Sequence, residues 1–239
     1  MNVLTPQTPE AWNTYVRSFA GWDIYYLCEY AVSLKLHGDG EPLLLCFEHG
    51  AERMCYVVMR NDIADDPRFH GLLPAGRHFD LETPYGYGGP LTDAPLSPVA
   101  QQIFMEELRT YCLEQRIVTQ FLRYHPLLDN HGAVSPMTDT RYLRDTIYMD
   151  TASPELILAN MDSKNRNMVR KAQRSGVTVR EAPMSEYAPF LELYRQTMDK
   201  HSAEDYYTFG TSYFDYLCEH LSDHAFLLYA ELEEAPISG

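Results

Sequence analysis

The strongest constraint on the fold is a succession of hydrophobic periods that occurs twice in the same order. Thr8-Pro9-Glu10 is a helix start, a capping residue followed by proline and an acid, after which Trp12, Tyr15, Val16 and Phe19 recur at helical spacing. Trp22 to Leu36 places Tyr26, Tyr30 and Leu34 on one helical face and stops at the turn Gly38-Asp39-Gly40. Pro42 to Glu48 and Arg53 to Arg60 are short, apolar and separated by His49-Gly50-Ala51-Glu52, the pattern of a β-hairpin. Much later, Val177 to Arg180 predicts a strand, and Ser185 caps a helix through Phe190, Leu193, Tyr194 and Thr197. Tyr213 to Leu221 predicts another helix and Ala225 to Leu232 a strand, so helix, helix, strand returns.

Between the repeats, Ser97-Pro98 opens a helix with Ile103, Phe104, Leu108, Tyr111 and Cys112 on one side, and Val118 to Arg123 predicts a buried strand. Asp145 to Asp150 alternates like a strand. Ser153-Pro154-Glu155 then starts one long helix, with Leu158, Met161, Met168 and Ala172 on its apolar side, which Gly176 ends. The pattern gives an α/β (α+β) chain of two related units. Residues 1–150 form the first; residues 151–239 hold a connector helix and the N-terminal half of the second. Glu233-Glu234-Ala235-Pro236 is the expected turn of the second hairpin, and Ile237-Ser238-Gly239 the start of its return strand. On this reading the C-terminus is truncated, an edge of Ala225–Leu232 is unpaired, and a strand, loop, helix and strand of roughly 60 to 100 residues are missing.

A chain of 239 residues with 45% hydrophobic content buries a sizeable core, which excludes a disordered protein. The polar opening Met1 to Glu10 and the lack of a long apolar run predict a cytoplasmic chain without a transmembrane segment. Cys28, Cys46, Cys55, Cys112 and Cys218 are scattered with no Cys-x-x-Cys pair, as expected of reduced thiols. A net charge of -15 argues against loose binding to DNA.

Against that acidic background, Lys164, Arg166, Arg170, Lys171 and Arg174 crowd one short segment with no acid among them. The three arginines stand one helical turn apart, an arrangement that grips phosphate or carboxylate in bidentate fashion. The plainer alternative is a solvated face opposite the apolar side. Like charges spaced by four repel by about 0.2–0.5 kcal/mol per pair, which points to an anionic partner.

Glu82-Thr83-Pro84-Tyr85-Gly86-Tyr87-Gly88-Gly89-Pro90 combines glycines, which let backbone approach a ligand, with two tyrosines; it is neither a Walker nor a Rossmann pattern. His220 and His224 have a spacing that can share a metal, but the helix should end before His224, and the reading is against a metal site. His70, His78, His125 and His131 read as ordinary loop histidines, and no serine hydrolase, zincin or P-loop signature is present.

The run from Asn160 through Lys164, Arg166, Arg170, Lys171 and Arg174 to Gly176-Val177 resembles the helix-then-strand segment of FemAB-like proteins, the peptidoglycan bridge aminoacyltransferases and their acyltransferase relatives. Thr83 to Pro90, and Leu193-Tyr194 to Thr197-Met198 followed by Tyr206-Tyr207, are similar to further stretches of that family. The resemblance covers most of the chain and implies twin GNAT-like domains, the second incomplete here. It implies transfer of an acyl group from acyl-CoA, or an aminoacyl group from aminoacyl-tRNA, to an amine on a cell-wall precursor. No permanently bound cofactor is implied. The anionic substrate, such as a UDP-linked precursor, falls to Arg166, Arg170 and Lys171 with help from Lys164 and Tyr206, while Tyr85 and Tyr87 shape the cleft; no residue is assigned a catalytic role. The rival expectation is a non-catalytic or remnant module that binds an anionic sugar nucleotide or partner through the same helix.

Overall fold

The computed structural model describes residues 1–134 and 137–239, which form two compact units, Met1–Tyr142 and Leu143–Gly239. The first runs β1 (Asn2–Leu4), α1 (Pro9–Arg17), a 3-10 turn at Ile24–Tyr26, α2 (Cys28–His37), β2 (Glu41–His49), β3 (Glu52–Asp62), β4 (Phe79–Glu82), β5 (Leu91–Thr92), α3 (Pro98–Gln115) and β6 (Ile117–Phe121). Its sheet has the order β1-β2-β3-β4-β6, with β5 also pairing β3; only β4 and β6 run parallel.

Met54 to Met59 in β3 is an unbroken apolar run because both faces of the sheet are covered. Leu45, Phe47, Met54, Tyr56 and Val58 pack with Ala100 and Phe104 of α3, the Phe104 ring standing 5.4 Å from Phe47 and 6.4 Å from Tyr56. On the alternate positions Leu44, Cys46, Cys55, Val57 and Met59 are equally buried, and α2 packs on β2 and β3. Ser97 caps α3 by accepting from the Ala100 N–H at 3.2 Å, while its own hydroxyl donates to Glu52 at 2.9 Å.

The second unit runs α4 (Pro154–Asn160), α5 (Ser163–Arg174), β7 (Thr178–Ala182), α6 (Ala188–His201), α7 (Thr211–His220), β8 (Leu227–Leu232) and β9 (Ala235–Ser238). Its sheet is antiparallel in the order β7-β8-β9. Ala182, Leu227 and Tyr229 form the core against Tyr187 and Phe190. The Tyr229 hydroxyl donates to Glu186 O at 2.6 Å and accepts from the Phe190 N–H at 3.0 Å, so this buried phenol is fully used. The succession strand, helix, helix, hairpin of β1-α1-α2-β2-β3 recurs in β7-α6-α7-β8-β9, with the same sheet order.

Several elements differ from their sequence-based expectation. The helix expected from Trp22 to Leu36 is split: Asp23 caps the 3-10 turn, and Leu27 is extended before α2 begins. The strand expected to be buried at Val118–Arg123 is β6, at the end of the sheet, with Val118 60% and Phe121 54% exposed. Asp145–Asp150 forms no strand and lies exposed, since alternation alone supplies no partner. The long helix expected from Pro154 breaks at Met161, whose ψ of 143° is extended, and Asp162 starts α5 anew. Ser185 lies in a 3-10 turn and does not cap α6, which starts after Tyr187 with proline in its first turn. The second hairpin closes on Glu233 and Glu234 alone, both at positive φ (51° and 65°), so Ala235 and Pro236 already belong to β9. β9 therefore pairs Ala230–Leu232 of the edge expected to be open, while Leu227–Tyr229 have a strand partner only on the β7 side among the described residues.

Candidate functional site

In α5, Asp162 accepts from the Asn165 N–H at 2.8 Å and fixes the start of the helix. From there 3.6 residues per turn put Lys164, Met168 and Lys171 in one row and Arg166, Arg170 and Arg174 in another. The cations are not equivalent. Arg166 donates from Nη1 to Leu158 O at 3.2 Å and to Met161 O, so it satisfies carbonyls that the end of α4 leaves open. Arg174 donates from Nε to Arg170 O at 3.2 Å. Lys164, Arg170 and Lys171 have no hydrogen-bonded or ion-pair partner for their side chains among the described residues, whereas Arg180 on β7 is neutralised by Glu186 at 3.2 Å and Glu231 at 3.0 Å.

The first unit gathers a second group. β4 and β5 both pair with β3, and the loop 83–90 leaves the sheet between them, opposite Tyr56 to Val58. The loop is tied to the chain after β6: Thr83 Oγ1 accepts from the Arg123 N–H at 2.8 Å, Gly88 N–H donates to Arg123 O at 3.0 Å, and Gly88 O accepts from the His125 N–H at 2.9 Å. Buried Asn130 completes the tie, donating to Gly88 O at 2.7 Å and the Tyr26 hydroxyl at 3.2 Å while accepting from the His125 N–H at 3.1 Å. Gly86, at φ +108°, passes so close to Tyr25 that a Cβ there would stand 2.4 Å from the ring.

Around this loop Tyr25 lies 6.0 Å from Tyr87 and 6.0 Å from His125, with Tyr30 edge-on at 5.3 Å. His125 is buried; its Nε2 meets Asp23 at 2.7 Å and its Nδ1 accepts from the Leu127 N–H at 3.1 Å. That pattern assigns the ring proton to Nε2 and leaves neither nitrogen open as a base. Burial pushes the Asp23 carboxyl above its ordinary range, against the Tyr25 N–H and His125, which pull it down. Burial likewise raises the Tyr25 phenol.

The structure thus brings Lys164, Arg166, Arg170 and Lys171 together on α5 and holds Tyr85 and Tyr87 on one loop of the other unit. Tyr206 occupies a separate 3-10 turn, Asp205–Tyr207, its ring edge-on to Tyr207 at 5.5 Å. Tyr85 offers its backbone carbonyl to the Tyr30 hydroxyl at 2.8 Å and is 39% exposed. His125 is a hydrogen-bonded loop histidine, one of the two readings the sequence allowed it; its partners Asp23, Tyr25 and Asn130 are not found from the sequence, since the cap at Asp23 is visible beside Tyr25 but no local spacing joins it to His125 or Asn130.

Among the described residues no group of His, Cys, Asp or Glu side chains is placed to hold a metal, and no helix is long and apolar enough to cross a membrane. The architecture is mixed α/β, consistent with a GNAT-like fold. Residues 129–235 match the model of the FemAB family, a stretch that contains α4, α5 and the segment on which that resemblance was read. A crystal structure of FemX is similar in fold, with a TM-score of 0.55 at 16% identity, covering 97% of this chain and 58% of that one. The chain therefore spans 58% of the length of that protein. A search of curated proteins finds no match.

Proposed function

We propose that this chain is part of an acyl- or aminoacyltransferase that moves an acyl group from a thioester, or an aminoacyl group from a tRNA ester, to an amine of an anionic cell-wall precursor in the cytoplasm. One observation carries the reading: the FemAB match spans α5, where Lys164, Arg170 and Lys171 stand without acidic partners in a chain of net charge -15. Such transfer needs a neutral amine, a donor to the developing oxyanion and cations that hold the substrate's anionic part. In this reading Arg170 and Lys171, with Lys164, grip the diphosphate, and Arg166 acts indirectly by fixing α4 to α5. Tyr206 is the further contact proposed in the same unit, and Tyr85 and Tyr87 are proposed as substrate contacts on their own loop of the first unit. Twin GNAT-like units, 1–150 and 151–239, remain the architecture proposed for the activity, supported by the recurrence of strand, helix, helix and hairpin.

The rival reading is a module that binds an anion through the same helix without catalysis. Calorimetric titration with acetyl-CoA and, separately, with a UDP-linked muropeptide tests the assignment, beside an Arg170→Glu/Lys171→Glu variant. Muropeptide binding that the variant loses supports the anion site; binding of neither ligand sinks it. Product formed from a labelled donor and the muropeptide separates transferase from binder.

A further inference from the structure

Two of the five cysteines stand directly opposite each other. Cys46 on β2 and Cys55 on β3 are register partners, both free and both buried, at 4% and 0% exposure. Their separation follows from the hairpin. Gly50, at φ +62°, and Ala51 make a two-residue turn, so the flanking pair His49–Glu52 is hydrogen-bonded and the pairs alternate from there. Phe47–Met54 is then hydrogen-bonded and Cys46–Cys55 is not. Opposed residues share a face of the sheet, and in a pair without backbone hydrogen bonds the Cα atoms approach to about 4.5 Å, inside the range of about 4.4–6.8 Å that a disulfide spans. The two thiols lie close enough to interact electrostatically with each other and with the Tyr15 phenol.

From this register we infer that Cys46 and Cys55 are a redox modification site, a dithiol that a peroxide converts reversibly to a cross-strand disulfide. The inference does not rest on the transferase reading. The plainer role of a buried cysteine is that of a small apolar side chain, and the experiment below separates the two. Burial, with Glu48 nearby, pushes the Cys46 thiol up to about 12, and burial raises the Cys55 thiol well above its ordinary range. Since the thiolate is the nucleophile, the closed structure is protected and the reduced pair is its resting state. Tyr15 stands at the approach: its hydroxyl donates to Glu48 at 2.9 Å, and Glu48 is on the same face of β2 as Cys46, two residues on. Release of that exposed bond opens the way to Cys46, the less buried thiol. The Cys46 sulfur then attacks one peroxide oxygen, the O–O bond breaks, and hydroxide leaves and takes a proton to become water. Cys55 attacks the resulting sulfenic sulfur, the S–O bond breaks and a second water leaves. Two thiols are oxidised by two electrons and one hydrogen peroxide is reduced to two waters. The bond clips β2 to β3 beside Tyr26, whose hydroxyl accepts from Asn130 in the tie that holds the loop 83–90.

The test exposes the native full chain to hydrogen peroxide, alkylates the remaining thiols in urea and digests without reduction. Trypsin cuts after Lys35, Arg53 and Arg60, so the two cysteines fall in separate peptides, 36–53 and 54–60. The expected product is these two peptides joined and lighter by two hydrogens, with both cysteines alkylated again when dithiothreitol precedes the alkylation. Cys55→Ala should lose the joined species and leave Cys46 as a sulfenic acid that dimedone captures; the parent's own peptide map decides the matter if this variant folds poorly. Oxidation should raise the thermal midpoint followed by tryptophan fluorescence by about 5–10 °C. Cys46 and Cys55 alkylated after native exposure, and joined only when the oxidant is added in urea, would make them inert core side chains and overturn the inference. So would a link from either one to another cysteine, or an oxidised form with a lower midpoint than the reduced one.

Discussion

Asn130 joins three stretches of chain that are far apart in sequence, and each of its bonds is made where water is excluded. Removing its amide leaves the Gly88 carbonyl short of one donor and the Tyr26 hydroxyl short of another, each buried. Asn130→Ala is therefore expected to cost about 2–3 kcal/mol, read as a lower urea midpoint with unchanged slope. A loss below about 0.5 kcal/mol would mean that water replaces the amide. Asp80 on β4 presents the opposite case, a buried carboxylate oxygen, Oδ1, without a hydrogen-bond partner among the described residues. Burial pushes its carboxyl above the ordinary range, partly offset by Asn61. A raised folded-state value favours folding while the group is protonated, and this contribution fades as pH rises from the unfolded value, about 3.9, through the folded one. Asp80→Asn stays neutral throughout. It should match the parent near about pH 3 and exceed it in stability above that window. Thermal unfolding at both ends checks this, and a parent that is the more stable at neutral pH would refute the sign.

At the scale of elements, the break between α4 and α5 divides the cations into those that build structure and those that face outward. Arg166→Ala should uncap α4 and speed amide exchange over 154–161, with a stability loss of about 1 kcal/mol. Arg170→Ala should stay within about 0.5 kcal/mol of the parent and weaken anion binding instead. Exchange mass spectrometry with muropeptide titration separates them, and equal effects from both would remove the distinction. This also shows what the sequence makes legible. The β2–β3 hairpin is readable because two apolar runs flank a short turn, and the cation row because helical spacing survives any change in the helix boundary. The break is hidden because Leu158, Met161 and Met168 keep the apolar period through it, although Asp162 is a capping residue in plain sight. The exposure of β6 and of Asp145–Asp150 depends on which strands find partners, a tertiary outcome that alternation does not encode. The Asp23–His125 and Asn130 ties likewise span stretches whose approach depends on β4 and β6 pairing in parallel.

For the whole molecule, the two units bury apolar surface very unequally. Trp12, Val16, Phe19, Leu34, Phe47, Tyr56 and Phe104 are among many buried side chains of Met1–Tyr142, whereas those of Leu143–Gly239 are Ala182, Leu191, Phe209, Phe214, Leu221, Leu227 and Tyr229. Burial drives folding in proportion to area, so the second unit should be the less stable and should open first. The sequence supplies the reporter, because both tryptophans, Trp12 and Trp22, lie in the first unit. Trp12 is fully buried and donates from Nε1 to Tyr26 O at 2.8 Å, so its emission should change only when that unit unfolds. In a urea titration, far-UV circular dichroism should begin to fall at lower denaturant than tryptophan fluorescence, since the helices of the second unit contribute to the first signal and not to the second. Superimposable curves would mean one cooperative transition and would show that the small core draws its stability from the large one.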